Sequence, residues 1–483
     1  ITCRDWSSDV CSSDLETTAI KTAFMRHDLK DWEDDKATQS LVTPYERSRI
    51  TIFSPKSKAL LELRSKRDIE IVEKIYANSV LLGDQSEDGW GIKYTREFDM
   101  TNDSKLFHPR PWWEERGYRP DPYGRLVNED GEIALPLYQG VMIGQFDFSA
   151  ARYTSDEDGT VKWIRQRDWI GKQLEPRYYA GLSDFDRKAK SQDEPRLVCR
   201  IQARTTDERT LISATVPSMP CGNSLSVLDT TSCGYSRQLI LCGLLNSFVC
   251  DWLARTRMAG ANVNKHLFEE FAIPHSLGEL SVHGQFVPVL VSLSIGHKLF
   301  APTWLRLQAE SVFGRGKTWQ ACWAISDYER RRLKAMVNAV IAMIYGLNET
   351  DLAYILRNDS SDVKGFWRVD QERPVELRQT TLTCLAFQRL KEVGLEQFLC
   401  EDFQFPPEIA CQLGPRYLDW QKPNATDREI EESWGECEQH ARNILGEREF
   451  DLFMKRLEQE GTDEDKPLAK TASKSDDQHK LKL

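Results

Sequence analysis

The stretch "LPLYQGVMIGQFDF", Leu135 to Phe148, combines large apolar side chains with two glycines, two glutamines and one aspartate. A short apolar run bounded by Pro and Gly fits a buried strand about as well as it fits a binding loop. The pattern therefore predicts an ordered element in the middle of the chain, and it leaves open whether the element is structural or functional.

Parity divides this stretch into two sets, because alternate residues of a strand face opposite sides. The apolar set that shares one parity, and that we expect to pack in a core, is Tyr138, Met142 and Phe146. The polar set that shares the other parity, and that we expect to face a ligand, is Gln139, Gln145 and Asp147.

Further strand-like segments follow, and then a long apolar helix. The segments with strand patterns are "VKWIRQRDWI", "RLVCRIQA" and "LISATVP". The helix, "SRQLILCGLLNSFVCDWLARTRM", is apolar on most faces and is therefore expected at the centre of a core. We expect residues 126–285 to form a mixed α/β domain.

Residues 16–125 mix both kinds of pattern and predict an α+β segment. One helix is indicated by apolar residues at helical spacing, namely Ile69, Val72, Ile75, Tyr76 and Val80. The sequence "WGIKYTREFDM" alternates like a strand, whereas "HPRPWWEERGYRPDPYGRLVNEDGE" is rich in Pro, Gly and charge and predicts a long surface connection.

Residues 286–450 predict a mainly helical domain. Ser326 with Glu329 three residues later is a capping pattern ahead of an apolar helical face, and Asn348 marks a second helix start. Residues 451–483 are expected to be a helix end followed by a charged, disordered tail. The fold class expected for the chain is α+β, a mixed α/β domain followed by a helical C-terminal region.

The first fifteen residues, "ITCRDWSSDVCSSDL", read as the translation of a sequencing adapter and are excluded from fold reasoning. The longest apolar run, which starts at Phe286, is interrupted by proline, histidine and lysine, so no membrane span is expected. The remaining cysteines lie singly, which favours reduced thiols in a cytoplasmic protein.

The net charge of −11 argues against a nucleic-acid footprint over the whole surface. Residues 196–265 differ, because they carry eight basic against four acidic residues. An anionic partner is therefore expected at this window. Its candidate contacts are Arg200, Arg204, Arg209, Arg257, Asn262, Asn264 and Lys265. Arg152, which lies outside this window, is a further candidate as the basic residue nearest after Asp147.

Several of these candidates also have a structural alternative. Arg204 and Arg209 flank a loop with two acids, and either arginine could form a surface ion pair with Asp207 or Glu208. The basic helix end at Arg257 and the polar residues after it could serve only to cap helices. Arg255 could pair with the acid four residues earlier on the same helix.

The chain carries no self-contained catalytic motif. The patterns G-x-S-x-G, H-E-x-x-H and G-x-G-x-x-G are all absent, and the eight histidines show no metal-ligand spacing. No catalytic residue and no metal site is assigned from the sequence.

Several stretches fall in an order that is similar to a known family. They are "WGIKYTREFDMTNDSKLF", "LPLYQGVMIGQFDFSAARY", "ARTTDERTLISATVPSMPCGNSL", "LLNSFVCDWLARTRMAGANVNKHLFEEFAIP", "YGLNETDLAYIL" and "FWRVDQERPVELRQTTL". The sequence from Val42 to about Phe398 resembles the C-terminal half of large bacterial adenine-specific DNA methyltransferases. These are the single-chain restriction-modification enzymes of the type II G kind and related phage-defence methyltransferases.

This resemblance implies a target recognition region that reads double-stranded DNA. In the whole family protein, a Rossmann-like core binds S-adenosylmethionine and an N-P-P-Y type motif holds the flipped adenine for methylation. The present sequence contains neither N-P-P-Y nor D-P-P-Y, so we expect that it lacks the catalytic core and is inactive alone. Relatives often carry His and Arg directly after "QFD", whereas here Arg152 is the nearest basic residue.

Two functions remain open from the sequence. The first is the DNA-recognition portion of a site-specific adenine-N6 methyltransferase in restriction or phage defence. The second is an interaction module that docks partner subunits of a defence complex and touches DNA little.

Overall fold

The structure, a computed structural model, describes residues 18–24, 30, 42–77, 79–86, 89–156, 158–189, 195–229, 234–258, 260–275, 285–313 and 316–463. The adapter-like segment and residues 464–483 of the expected tail lie outside the described residues.

The elements of the described residues are as follows. The strands are β1 Ala19–Thr22, β2 Thr43–Glu46, β3 Ser79–Leu81, β4 Lys93–Thr95, β5 Phe107–His108, β6 Arg119–Pro120, β7 Leu126–Val127, β8 Ile133–Pro136, β9 Ala151–Ser155, β10 Val161–Arg165, β11 Tyr179–Gly181, β12 Arg196–Arg200, β13 Ser213–Val216, β14 Leu225–Asp229 and β15 Ala272–Pro274. The helices are α1 Arg47–Phe53, α2 Lys66–Ala77, α3 Arg110–Glu114, α4 Leu182–Lys188, α5 Gly234–Leu245, α6 Phe248–Arg257, α7 Lys265–Glu269, α8 Phe286–Ser294, α9 Ala301–Ala309, α10 Asp327–Ile344, α11 Glu349–Ile355, α12 Gln379–Val393, α13 Leu395–Cys400, α14 Pro407–Leu413, α15 Asp427–Leu445 and α16 Glu447–Asp463.

The chain divides into two compact units. The first contains the described residues up to Gly296 together with Trp323–Trp420, and the second contains His297–Cys322 together with the described residues from Gln421 onward. The expected 126–285 domain lies wholly within the first unit, whereas the expected helical region 286–450 is shared between the two. The split arises because α10 packs on α5, α6 and α8 of the first unit.

A four-stranded antiparallel sheet with the order β13-β12-β14-β4 forms the centre of the first unit. Val198 of β12 lies opposite Ala214 on one side and Val227 on the other, and all three side chains are buried. Because α5 packs against β12 and β13, this sheet is covered by a buried helix. The α+β expectation for the fold class is confirmed.

A five-stranded sheet with the order β5-β11-β8-β7-β6 lies in the same unit. It includes part of the segment that the sequence predicted as a long surface connection, and this prediction was wrong. Trp113, Tyr118 and Leu126 of that segment are buried with Ala134 and Tyr179, because aromatic rings in a Pro-rich stretch can still supply a small core.

The stretch Leu135–Phe148 is not one regular strand. It leaves β8 after Pro136, makes a 3₁₀ turn at Gly140–Met142, and closes a tight turn in which Gly144 pairs with Asp147. Tyr138, Met142 and Phe146 are buried, so the packing expectation for these three is confirmed. Leu137 and Ile143, which have the other parity, are buried as well, because the turns break the alternation.

The long apolar helix predicted from Ser236 to Met258 is two helices, α5 and α6, bent by 63°. Ser247 makes the break, since its side chain accepts a hydrogen bond from the Cys250 N–H and thereby caps α6. In the described residues no single helix is long and apolar enough to span a membrane, and α5 with α6 reaches that length and composition only as the bent pair.

The predicted helix starts after residue 325 are confirmed. The Ser326 hydroxyl accepts from the Glu329 N–H at 3.1 Å at the start of α10, and Asn348 caps α11 through the Asp351 N–H at 2.9 Å. Helix α10 packs along α12. In the second unit, α9 packs on α15, and Thr426 caps α15 with Glu429 in a capping box.

Candidate nucleic-acid interface

Two short segments pair in antiparallel fashion at the surface of the first unit. The Val263 N–H donates to the Ile201 carbonyl at 2.8 Å, and the Ala203 N–H donates to the Ala261 carbonyl at 3.0 Å. Gln202 and Asn262 therefore lie directly opposite each other in a non-hydrogen-bonded pair, whose side chains are close.

The apolar residues of this pairing point inward, and the polar residues point to solvent. Ile201, Ala203 and Val263 are buried, whereas Gln202 and Asn262 are exposed. Arg204 is two residues beyond Gln202 and is exposed too. The local alternation thus presents two carboxamides and one guanidinium along one edge.

The loop after Arg204 is held by a buried acid, Asp251 of α6. Its carboxylate accepts from the Arg209 Nε at 2.8 Å, from the Arg255 Nε at 2.8 Å and from the Thr210 N–H at 3.0 Å. Burial alone would raise the pKa of Asp251, but the two arginines outweigh burial and lower it. The expected alternative for Arg255, an ion pair with the acid four residues back, is confirmed.

The Arg255 side chain also fixes the loop, because it binds backbone carbonyls of the loop. Its Nη2 donates to the carbonyls of Asp207 at 2.9 Å and Glu208 at 2.8 Å. The Thr210 hydroxyl donates to the Arg204 carbonyl at 3.1 Å. Because the loop is anchored at both ends, Arg204 is held in a defined place. The Arg204 side chain makes no ion pair with any described residue.

Lys265 and Asn264 lie at the start of α7, close to the same edge. Asn264 occupies the cap position, but its side chain makes no capping hydrogen bond, so the capping alternative is not used by this side chain. Lys265 is 62% exposed and lies 3.5 Å from Glu269, the residue one helical turn later. An ion pair so exposed is weak and leaves the ammonium group available.

Lys265 also lines a groove of about 250 Å³. Lys56 and Lys93 line the same groove, together with the ring of Tyr94, and Lys56 shares Glu269 with Lys265. Three lysines with one carboxylate make the groove a favourable place for an anion.

Arg257 was expected to contact DNA, and the structure corrects this. Its guanidinium is 2% exposed and donates to Glu270 at 3.1 Å, to Ser54 at 3.1 Å, and to Tyr76 and the Phe53 carbonyl. The side chain joins α6 to α1 and α2. A guanidinium buried among these groups has no free donor for a phosphate.

Arg209 was also expected to contact DNA, but its guanidinium is engaged in contacts inside the protein. It binds Asp251 and the Asn246 carbonyl, and its guanidinium lies 4.2 Å from the centre of the Phe248 ring. Burial lowers its pKa, and Asp251 opposes that effect. The sequence alternative, an ion pair with Asp207 or Glu208, was also wrong, because the partner is the acid of α6.

Arg200 and Gln145 support the Leu135–Phe148 stretch. Arg200 donates to the Gly140 carbonyl at 2.8 Å and to the Ile143 carbonyl at 2.6 Å. The Gln145 amide donates to the carbonyls of Leu211 and Asn246, each at 3.2 Å. Both side chains hold backbone in place, so their expected role in reading a ligand is corrected to a structural one.

Three further side chains complete the set. Asp147 forms a buried ion pair with Lys172, both of its oxygens lying 2.9 Å from Nζ, and is therefore also structural. Arg152 is half-buried and binds Gln173 and Glu175. Gln139 is half-buried, and its Oε1 has no hydrogen-bond partner among the described residues.

The edge that remains consists of four exposed polar residues and the half-buried Asn264, from two segments far apart in sequence. It comprises Gln202, Arg204, Asn262, Asn264 and Lys265. Gln202 was not among the sequence candidates, although it shares the parity of Arg200 and Arg204 in "RIQAR" and could have been found by extending that strand. We call this set the amide edge.

No family model matches the chain, and no curated protein is significantly similar to it. In the described residues, no group of three or more His, Cys, Asp or Glu side chains is arranged to hold a metal ion. The amide edge and the sequence motifs are thus the features of this chain that bear on its function.

Proposed function

We propose that this chain is a module that recognises double-stranded DNA. The observation that carries the proposal is the amide edge, where Arg204 and Lys265 flank a facing pair of carboxamides. Cationic side chains neutralise phosphates and set the register of a protein on a duplex. Carboxamides pair in two-point fashion with the N6 and N7 atoms of adenine in the major groove. One edge thus offers both kinds of contact.

More particularly, we propose that the module is the specificity portion of an adenine-specific DNA methyltransferase of the restriction or phage-defence kind. The order of the six sequence motifs supports this proposal. Two of those motifs contribute the paired segments of the amide edge, one containing Arg204 and the other containing Asn262. In the methyltransferases that the chain resembles, methyl transfer to the adenine amine uses S-adenosylmethionine.

The described residues do not fit S-adenosylmethionine. The ladders between their strands are all antiparallel, whereas a Rossmann-like core requires a parallel sheet with ligands at the carboxyl ends of its strands. The sequence also lacks the motif that would hold a flipped adenine. We therefore assign no methyl-transfer step to residues of this chain.

The alternative, an interaction module for partner subunits, is supported by a specific observation. Arg200, Arg209 and Arg257 are engaged in internal contacts, which reduces the basic surface that the sequence suggested. The two proposals differ in what the amide edge does, so substitution of its cations separates them.

The test is a fluorescence-anisotropy titration of a labelled mixed-sequence duplex of about 40 base pairs, at several salt concentrations. The slope of log K against log salt is negative, and loss of one phosphate contact reduces its magnitude by about 0.9. At 0.1 M salt this change corresponds to a loss of affinity of about eightfold. The double variant Arg204→Gln with Lys265→Gln is expected to lower the slope by about 1.8. The matched control, Arg428→Gln with Lys455→Gln, removes the same charge from exposed positions of α15 and α16.

An unchanged slope in the Arg204 and Lys265 variant, with partner assembly lost instead, would support the interaction module. An equal effect in the control would show that net charge alone governs binding. Either result would overturn the assignment of the amide edge.

A further inference from the structure

The hairpin of β9 and β10 forms a two-stranded antiparallel ribbon. Tyr153 lies opposite Trp163, and Arg165 lies opposite Ala151 at the base of the ribbon. Alternation puts Tyr153, Trp163 and Arg165 on one face. Among the described residues, β10 pairs only with β9, so its other edge is open.

The charges of the ribbon are distributed unequally. Two cations of the ribbon and one beside it are neutralised, since Arg152 pairs with Glu175, Lys162 with Asp156, and Lys172 with Asp147. Three exposed arginines form no ion pair with any residue that the structure describes, and they are Arg165, Arg167 and Arg177.

Acidic residues lie at both ends of the ribbon. Asp156 accepts from the N–H groups of Asp158 and Thr160 in the turn, at 3.1 and 2.8 Å, and it also binds Lys162. Asp158 is exposed in the same turn, and Asp168 follows the base and accepts from the Ile170 N–H at 3.0 Å. With the exposed Arg165 and Arg167 against Asp168, the base of the ribbon carries a net positive charge.

The aromatic pair determines which form of nucleic acid fits this face. The rings of Tyr153 and Trp163 lie 5.2 Å apart at 59° and pack on each other. The guanidinium of Arg177 lies 5.7 Å from the centre of the Tyr153 ring. Because these rings are engaged with each other and with Arg177, they are poor platforms for unstacked bases, which single-strand binding uses. Phosphates of a duplex suit the face better.

The base of the ribbon lies near the loop of the amide edge. Burial raises the pKa of Glu208 in that loop, Asp370 and Glu372 add to the rise, and the charge of Arg165 opposes it. Arg165 also lowers the pKa of Arg200, beyond the larger effect of burial. Hydrogen bonds support the same placement: the Gln166 N–H donates to the Ala150 carbonyl at 2.9 Å, and the Ala150 N–H donates to the Met142 carbonyl at 2.6 Å. Met142 lies in the turn whose Gly140 and Ile143 carbonyls accept from Arg200, two residues before Gln202 of the amide edge.

We infer that the base of the β9–β10 ribbon is a second DNA-contacting element, on which Arg165, Arg167 and Arg177 bind backbone phosphates of a duplex that also lies on the amide edge. The inference rests on the proposed function, and it adds an element outside the basic window of residues 196–265. A two-stranded ribbon is narrow enough for the major groove, which is about 12 Å wide.

The test uses the full chain and the same salt titration with a duplex of about 40 base pairs. The triple variant Arg165→Gln, Arg167→Gln and Arg177→Gln is expected to lower the slope by about 2.7 if all three bind phosphates. The corresponding Lys variants keep the charges and are expected to keep the slope, which distinguishes charge from ribbon damage. The matched control is Arg428→Gln, Arg448→Gln and Arg456→Gln on α15 and α16, which removes three exposed charges elsewhere.

The outcomes separate this inference from the proposed function. If the Arg204 and Lys265 variant loses slope while the triple ribbon variant keeps it, the ribbon is not a DNA contact and the proposed function stands. A triple variant that loses no more slope than its control overturns the inference in the same way. If the unsubstituted chain shows no salt-dependent duplex binding, the proposed function fails and the ribbon assignment fails with it.

Discussion

Asp251 is the acid on which the loop of the amide edge depends, and Asp251→Asn tests that dependence. The carboxamide has nearly the volume of the carboxylate, so no cavity is created. It leaves Arg209 and Arg255 buried without a counter-charge, since Asp251 is the carboxylate that both contact. Breaking a buried ion pair costs about 3–5 kcal/mol. Against a typical unfolding free energy of about 5–15 kcal/mol, such a loss is large.

The assay is urea unfolding followed by circular dichroism, with Asp451→Asn as the control. Asp451 is exposed on α16 and lies 3.9 Å from Arg442, so its neutralisation is expected to change stability by no more than about 0.5 kcal/mol. We expect Asp251→Asn to lose about 3 kcal/mol or more at pH 7. A loss below about 1 kcal/mol would refute the view that this carboxylate balances two buried arginines.

The pH dependence gives the same prediction a second check. The pKa of Asp251 is lowered from 3.8 in the folded state, so its stabilisation is present above about pH 4 and is lost as the pH falls through the folded-state value. The difference between the unsubstituted chain and Asp251→Asn is therefore expected to be constant from pH 5 to 8 and to shrink only below pH 4.

Three further predictions concern other parts of the chain. Burial, helped by Arg330 and Arg331, lowers the pKa of Lys334 to about 7. Lys334→Met is therefore expected to raise the unfolding free energy by at least about 1 kcal/mol at pH 7 and by less as the pH approaches 10.5, because between these pH values only the unfolded chain binds the proton. A gain that does not vary with pH would contradict this prediction. Gly124 has φ +80°, and an added Cβ would lie 2.9 Å from the Leu174 carbonyl oxygen, whereas Gly117 has φ +87° with open space around it. Gly124→Ala should therefore lower the thermal midpoint of unfolding more than Gly117→Ala does. Equal losses would show that the close approach at Gly124 is relieved. Brief labelling with N-ethylmaleimide at neutral pH, followed by mass spectrometry, should modify the exposed Cys400 and Cys411 first. It should modify Cys199, Cys221 and Cys242 later, because burial raises the pKa of each of these thiols to about 12. The reverse order would contradict the burial of those three.

Local signals were readable from the sequence because they act over a few residues. The Ser326 and Asn348 caps predicted two helix starts, since each depends on a side chain and an N–H group three residues later. The break at Ser247 was missed. A sequence that is apolar on most faces shows no change in its helical periodicity where one helix ends and the next begins. The mixed α+β class followed from these local patterns.

The candidate site was less readable, because burial of an arginine depends on partners distant in sequence. Arg257 lies at a basic helix end and was expected to be exposed, yet its partners Glu270, Tyr76 and Ser54 come from other elements. Arg204 was found because it flanks a polar loop, and Asn262 because it follows a basic helix end among small residues. Their juxtaposition required the pairing of two segments about sixty residues apart.

Photo-crosslinking from the amide edge is the most direct measurement of the central claim that this edge binds duplex DNA. A photoreactive amino acid, benzoylphenylalanine, is placed at position 262 and, in a separate control, at position 455 on α16. We expect ultraviolet light to crosslink the position-262 chain to a labelled duplex at low salt, with the yield falling as salt rises and with no comparable product from position 455. Equal yields from both positions, or no crosslink from position 262 under conditions where the duplex is bound, would contradict the account.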